Sequence, residues 1–145
     1  NGKLFLAWYT AAEGQVNLKM TVSRDNGRTF IPAKNIQGSV VDANHPHMEV
    51  FGDAVWIIFQ GRDPQIEGGW GQHRAWVVQA SNDGVLSEPH SLPTAGGGVV
   101  YPHLFKGHGG RVYAMWTEVN DKGPHVILCR GRFNLDRGSI NYKIR

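Results

Sequence analysis

Cysteine is almost missing from this sequence, and long apolar runs are missing altogether. The single cysteine, Cys129, allows no disulfide within the chain. The longest unbroken apolar stretches, residues 4–9 and 54–59, have six residues each, whereas a membrane-spanning helix needs about 20. We therefore expect no membrane span. A signal-peptide pattern and an initiator methionine are also missing, so we expect a processed protein or a piece of a longer one.

A strong excess of one charge is likewise missing. The chain has 15 basic and 12 acidic residues, a formal charge of +3 and an isoelectric point of about 9.2. The basic residues are scattered, with modest enrichment only in the last sixteen positions. A nucleic-acid-binding surface normally needs basic residues clustered on one face. We therefore expect no nucleic-acid partner.

Helical periodicity is the third absence. The 19 glycines and 7 prolines interrupt every window long enough to test it. Hydrophobic residues make up 41% of the chain, which is enough for a packed core and argues against intrinsic disorder. Glycine at this density without a collagen period is typical of many tight turns. The composition therefore predicts a turn-rich, all-β protein.

The chain contains an internal repeat. Residues 2–8, 53–59 and 110–116 align, and each is rich in aromatic and β-branched residues, as expected of a strand buried on both faces. A second predicted strand follows each time, at residues 17–22, 74–80 and 126–130. A third pair, residues 45–48 and 101–104, shares a Pro-His core. Because a repeat of about 40–50 residues with four strands is the length of a propeller blade, we predict a β-propeller of about three four-stranded blades, with repeats at about 1–38, 39–94 and 95–145.

One turn resembles a known motif. Ser23, Asp25, Gly27, Thr29 and Phe30 fit the Ser-x-Asp-x-Gly-x-Thr-Phe pattern of the Asp-box, or BNR repeat, of sialidases and related propellers. Residues 81–84 keep a shortened version, and residues 129–133 have lost the aspartate. From the residue types, we expect Asp25 to accept hydrogen bonds from turn amides, Gly27 to take positive φ and Phe30 to pack back against the sheet. The resemblance implies a structural turn on the face away from the active site, and favours a periplasmic or secreted location.

The resemblance does not extend to sialidase catalysis. Sialidases carry an Arg-Ile-Pro signature, which is absent, since the single Ile-Pro pair, at residues 31–32, follows the box instead of preceding it. We therefore assign no catalytic residue, and enzyme activity stays open. The prediction that we favour is a sialidase-like module that binds a carbohydrate or another small polar ligand at the top of the central channel. One alternative is a glycoside hydrolase with catalytic residues partly outside this segment; others are a protein-interaction scaffold and metal binding by channel histidines.

Propeller topology predicts where such a ligand would bind. The segments entering the inner strands and the loops between the second and third strands share one face. These segments supply the candidate ligand-binding residues, which are His45, His47, Arg62, Trp70, His73, Tyr101 and His103. Residues 118–125 are predicted to form the corresponding loop of the third repeat. Trp70, in the longest loop, is either an exposed platform or a plug over the neighbouring blade.

Two further groups of residues have open interpretations. His47 and His103 occupy equivalent positions and are candidate ligands for a divalent metal, with His45, Met48 and Cys129 as further potential ligands. The interpretation that we favour is that the two histidines are polar side chains of the channel. Asp63 and Glu67 are candidate glycosidase carboxylates or solvated loop charges.

Three blades cannot close a ring. The exposed sheet faces therefore predict a dimer that forms a six-bladed ring, the sialidase number, or the remainder of a longer propeller. In the dimer, the tail at residues 134–145 is a candidate for the missing inner strand of the partner's first blade.

Overall fold

The computed structural model describes residues 2–12, 14–134 and 139–144. These residues form three antiparallel sheets that follow one another along the chain. The first sheet contains β1 (Leu4–Thr10), β2 (Asn17–Ser23) and β3 (Lys34–Asn35). The second contains β4 (Val41–Phe51), β5 (Ala54–Arg62), β6 (His73–Ser81) and β7 (His90–Ser91). The third contains β8 (Gly98–Lys106), β9 (Val112–Asn120), β10 (Gly123–Asn134) and β11 (Ser139–Ile144). The prediction of an all-β protein is confirmed.

Apolar side chains on both faces of β5 explain why the sheets stack. Trp56 and Ile58 belong to a core shared with the third sheet, while Ile57 and Phe59 belong to a core shared with the first. All four are almost completely buried. Because each large apolar side chain contributes about 1.5–3 kcal/mol when buried, the second sheet is held from both sides. Within the described residues, the only helical segments are 3₁₀ turns at Trp70–Gln72 and His108–Gly110.

Two expectations about the third sheet are wrong. Residues 118–125 do not form a loop, because β9 continues to Asn120 and β10 starts at Gly123, so that only a tight turn joins them. The tail does not extend as a free strand for a partner either. Its described part, β11, pairs with β10 of its own sheet, with Cys129 opposite Ile144 and Asn134 opposite Ser139. The sequence therefore predicted a strand in the tail but not that this strand pairs with β10 of its own chain.

The inner strands β4 and β8 share an irregularity. The register of β4 with β5 shifts between Asn44 and His47, and that of β8 with β9 shifts between Val100 and His103. In each bulge the residue before proline has positive φ, 51° at His45 and 53° at Tyr101. This conformation is unfavourable for a residue with a side chain, especially before proline. Each Pro-His pair therefore lies at a bend in its strand, and the bend changes the direction of the His45 ring in β4 and of the Tyr101 ring in β8.

The turn after β2 has the hydrogen bonds predicted for it. Asp25 Oδ1 accepts from the Thr29 amide at 2.9 Å and Oδ2 accepts from the Thr29 hydroxyl at 2.6 Å. These two bonds and a third from the Ser23 hydroxyl lower the pKa of Asp25 to about 2. Gly27 has φ of 86°, as expected. The expectation for Phe30 is wrong, because its side chain is 42% exposed and the next residue, Ile31, packs against the core instead.

The degenerate turn of the second sheet keeps the serine of this arrangement. The Ser81 hydroxyl accepts from the amides two and four residues later, as the Ser23 hydroxyl does. The two turns lie side by side, as shown by the distance of 3.8 Å between the Arg24 guanidinium and the Asp83 carboxylate. Both lie at the ends of β2 and β6 that are distant from the β1–β2 and β5–β6 loops.

The stack has two apolar ends. In the described part of the chain, β1 is an edge strand with β2 on one side only, and its outer face exposes Leu4, Leu6 and Trp8. At the other end, the third sheet exposes Met115, Val119, Val126 and Leu128. Apolar faces of this kind normally lie against another surface.

Candidate functional site

Residues from all three sheets meet at the inner strands. Tyr9 stands near the end of β1, and His45 and Tyr101 occupy the two bulges. The ring centroid of His45 is 5.4 Å from that of Tyr9 and 4.8 Å from that of Tyr101, which it meets edge-on. Tyr9 and Tyr101 are 48% and 59% exposed. We call these three side chains the ring cluster; it offers exposed aromatic surface with polar ring edges.

The orientation of His45 follows from its neighbour. The side-chain Nδ2 of Asn44 donates to the Asp42 backbone carbonyl at 2.7 Å. This bond directs Asn44 Oδ1 towards His45 Nδ1, which is 2.5 Å away. Because Oδ1 can only accept, Nδ1 carries the proton, and Nε2 is the acceptor nitrogen of the neutral ring. The bulge and this hydrogen bond together fix the ring within the cluster.

A pair of histidines lies beside the ring cluster. The rings of His47 and His103 are 4.7 Å apart, and His47 Nδ1 accepts from the Leu104 amide at 3.2 Å. Burial lowers the pKa of His47 from its ordinary value, and the nearby His103 lowers it further. Because Nδ1 of His47 accepts from the Leu104 amide, the neutral ring carries its proton on Nε2, whereas the His45 ring carries its proton on Nδ1.

Metal binding by this pair has little support from its geometry. Among the residues that the structure describes, no group of three or more His, Cys, Asp or Glu side chains is arranged to hold a metal ion. One nitrogen of His47 is already engaged with the backbone. Cys129, another potential ligand, is buried in the core between the second and third sheets, where burial raises its pKa to about 11. A thiol in that state is a poor metal ligand.

Arg62 is held at the entrance of β4. Its Nε and Nη2 donate to Asp42 Oδ2 at 3.2 and 3.0 Å, and its Nη1 donates to the Ile66 carbonyl at 3.3 Å. The guanidinium therefore ties the long β5–β6 loop to the start of β4. Its positive charge is compensated by Asp42.

Two adjoining cavities lie beside this ion pair. The inner cavity, of about 290 Å³, is lined by Val16, Asp42, Asn44, Gly69 and His73. The outer cavity, of about 510 Å³, lies between residues 14–17 and residues 37–42. Both are lined by Val16 and Asp42, so they are neighbours. The inner cavity brings the β1–β2 loop, the start of β4 and the β5–β6 loop together, which is the convergence that propeller topology predicts.

Sequence reasoning missed Gln60, which lies below Tyr101. This side chain is completely buried, and its Oε1 accepts from the Tyr101 amide at 2.7 Å. Within the described part of the chain, its Nε2 has no hydrogen-bond partner. A buried donor of this kind requires an acceptor, which an enclosed water can supply. The available signal was a polar residue directly after the apolar run at residues 54–59.

Glu118 was predicted to lie in a loop, but it lies in β9, and its buried carboxylate explains how β8 is held. The carboxylate is 1% exposed and accepts from the amides of Ala95 and Gly97 and from Nε1 of Trp116 at 2.8–3.1 Å. The connection that enters β8 is thereby fixed to β9. Glu118 positions the strand that carries Tyr101 and His103.

The predicted ligand-binding residues fall into two groups. His45 and Tyr101 are neighbours, as are His47 and His103. Arg62 and His73 are paired at the ends of β5 and β6, and Asp42 connects them, since it binds Arg62 and lines the inner cavity with His73. These two groups include every predicted ligand-binding residue except Trp70. The backbone of Trp70 forms a turn against β8, and its side chain lies outside the described part of the structure.

The two candidate carboxylates have no shared geometry in support of catalysis. Asp63 Oδ1 accepts from the Gln65 amide at 2.9 Å, which stabilises its own loop, and Glu67 is exposed. We find the interpretation as loop residues more consistent with these contacts.

Chains of known structure share this fold. The Hadza microbial sialidase Hz136 superposes on 99% of this chain with a TM-score of 0.69 and 13% identity, and the match covers 35% of that enzyme. A Trypanosoma rangeli sialidase, in complex with the inhibitor DANA, gives 0.62 at 12% identity over 98% of this chain and 28% of its own. A Bombyx mori GH32 β-fructofuranosidase gives 0.55 at 12% identity over 100% of this chain and 35% of its own. No protein-family model and no curated protein matches the sequence.

These similarities define the class of fold. The chain folds as part of a β-propeller of the kind found in sialidases, and the fold expectation is confirmed at that level. The chain spans about a third of the length of these structures. In the described residues no helix has the length and apolar character to cross a membrane.

Proposed function

We propose that this chain is a sialidase-like propeller module that binds a carbohydrate or another small polar ligand at the ring cluster and the adjoining inner cavity. The ring cluster carries this proposal, because Tyr9, His45 and Tyr101 come from three different sheets and leave aromatic surface exposed. Ligand sites typically combine such surface with a few fixed polar groups.

The polar groups beside the cluster suit a ligand rich in hydroxyl groups. His45 Nε2 is an acceptor in the neutral ring, and Asp42 and Asn44 add polar groups to the lining of the inner cavity. Asn44 lines the inner cavity and orients His45, so the cavity and the ring cluster form one region. The similar structures are named as sialidases and a β-fructofuranosidase, which supports carbohydrate as the ligand class.

We also propose that the two apolar ends of the stack are covered, either by a second copy in a six-bladed ring or by further blades of a longer propeller. The apolar side chains on β1 and on the third sheet support this proposal. A ring of either kind would complete the surroundings of the ring cluster.

Binding to an array of immobilised glycans tests the proposed function. Tyr101→Ala removes one face of the ring cluster and should weaken binding to any glycan recognised by at least tenfold, or about 1.4 kcal/mol. Phe30→Ala is the matched control, because it removes an exposed ring at the opposite end of the sheets. Equal affinity of Tyr101→Ala and the parent would contradict the site, and absence of binding to every glycan would favour an interaction scaffold.

A glycoside hydrolase is the second candidate, favoured by the names of the similar structures. Hydrolysis of fluorogenic glycosides separates it from a binding module. Turnover that persists in the purified chain and is lost in Tyr101→Ala would establish the enzyme.

A further inference from the structure

The inner and outer cavities adjoin and together form a groove between the β1–β2 loop and the start of β4, and Asn44, the residue that orients His45, lines its inner end. The inner cavity, at about 290 Å³, is at the lower end of the roughly 300–1,000 Å³ typical of ligand pockets. The outer cavity adds about 510 Å³ and shares Val16 and Asp42 with it. A ligand that fills only the inner cavity would leave the larger part of the groove empty.

The floor of the outer cavity is held in place by amide side chains. Gln37 is buried, and its Oε1 accepts from the Leu18 amide at 3.1 Å while its Nε2 donates to Asn17 Oδ1 at 3.0 Å. Asn17 Nδ2 in turn donates to the Gln15 carbonyl at 3.4 Å. These contacts fix the orientation of both amides before any ligand arrives, which lowers the entropic cost of binding.

The charge of the groove favours an uncharged ligand. None of its described lining residues is lysine or arginine. Asp42 is the one carboxylate of both linings, and its partner Arg62 already uses three nitrogens on Asp42 and the Ile66 carbonyl. Because Asp42 and Arg62 compensate each other, and the described lining residues offer no further cation, nothing in the described part of the groove balances the charge of an anionic sugar, which discriminates against it.

From this geometry we infer that the groove binds a neutral oligosaccharide, with one sugar unit at the ring cluster and inner cavity and at least one more in the outer cavity. This inference rests on the proposed function and specifies its ligand class. Vicinal hydroxyl groups match the amides of Gln37 and Asn17, the Ser39 hydroxyl and the Asp42 carboxylate.

The test compares glycan length and charge on one array. It carries neutral hexose mono-, di- and tetrasaccharides of matched linkage, together with sialylated counterparts. Ser39→Trp fills the outer cavity from an exposed position, and Asn82→Trp places the same side chain at an exposed position near the opposite end of the sheets. Melting temperatures of both variants check that they fold.

We expect the neutral tetrasaccharide to bind at least tenfold more tightly than the monosaccharide. Ser39→Trp should abolish this gain without changing monosaccharide affinity, and Asn82→Trp should change neither. Three results would overturn the inference. These are equal affinity for all glycan lengths, a Ser39→Trp variant that keeps the affinity gain of the tetrasaccharide, and preference for the sialylated series. If Tyr101→Ala still weakens the monosaccharide in those cases, the proposed function stands; if no saccharide binds, both fail.

Discussion

Replacement of Glu118 by glutamine tests how the third sheet is held. The carboxylate accepts from the amides of Ala95 and Gly97 and from Trp116 Nε1, in a position that is 1% exposed. Glutamine has the same shape but replaces one oxygen by an NH₂ group. Whichever way its amide turns, either Gly97 or Trp116 then faces a donor instead of an acceptor.

The expected cost follows from that single mismatch. A buried donor left without an acceptor costs about 1–3 kcal/mol, and bonds to a charged acceptor lie at the upper end. For a chain of this size, each kcal/mol corresponds to about 4 °C in melting temperature, so Glu118→Gln should melt about 4–12 °C earlier. Amide hydrogen exchange at Ala95 and Gly97 should accelerate, because local opening of this connection becomes easier.

The measurement is thermal and urea unfolding at one fixed protein concentration, since any self-association makes stability depend on concentration. Glu88→Gln is the control, because Glu88 is exposed and should change stability by no more than about 0.5 kcal/mol. If Glu118→Gln matches the parent in both unfolding and exchange, the carboxylate does not hold the entry to β8, and our account of this sheet is incorrect.

Three further predictions concern pH and assembly. The pKa of Asp25, lowered to about 2, implies stability that is present above the unfolded value near 3.8 and lost as pH falls from there to about 2, and Asp25→Asn should flatten acid unfolding curves over that interval. The lowered pKa of His47 implies stability that is present above about pH 6.5 and lost below it, so His47→Asn, which keeps an acceptor for the Leu104 amide, should lose less stability between pH 7 and 5 than His90→Asn. The purified chain should be a dimer or larger by light scattering at micromolar concentration, and Leu6→Lys should shift it towards monomer; a well-folded parent monomer contradicts self-association.

The local features of this fold were readable from the sequence. Aromatic and β-branched runs identified β1, β5 and β9, although burial on both faces holds for β5 and not for β1, which exposes Leu4, Leu6 and Trp8. Ser23, Asp25 and Gly27 identified a turn in which the hydrogen bonds of the Ser23 and Asp25 side chains span at most four residues. Phe30 was assigned to the sheet incorrectly, because a one-residue difference in register decides whether Phe30 or Ile31 faces the core.

Contacts between distant residues account for what the sequence did not predict. Gln60 meets the Tyr101 amide across 41 positions, and His47 meets the Leu104 amide across 57. Periodicity describes one strand at a time and contains no information about which side chains face each other across two sheets. The equivalence of the two Pro-His segments predicted equivalent positions for His47 and His103, but not the bulges beside them.

The unlike ends of the sheet stack govern how copies of this chain could polymerise. One end is three-stranded in the described residues and exposes Leu4, Leu6 and Trp8, while the other is four-stranded and exposes Val126 and Leu128. When unlike ends join, contact is head to tail, and each added copy turns by the same angle. If two copies complete a full turn, the product is a closed ring of fixed size. If the angle falls short, the same contact repeats without end, and a substitution that alters the packing of Trp8 would convert a soluble ring into a growing filament.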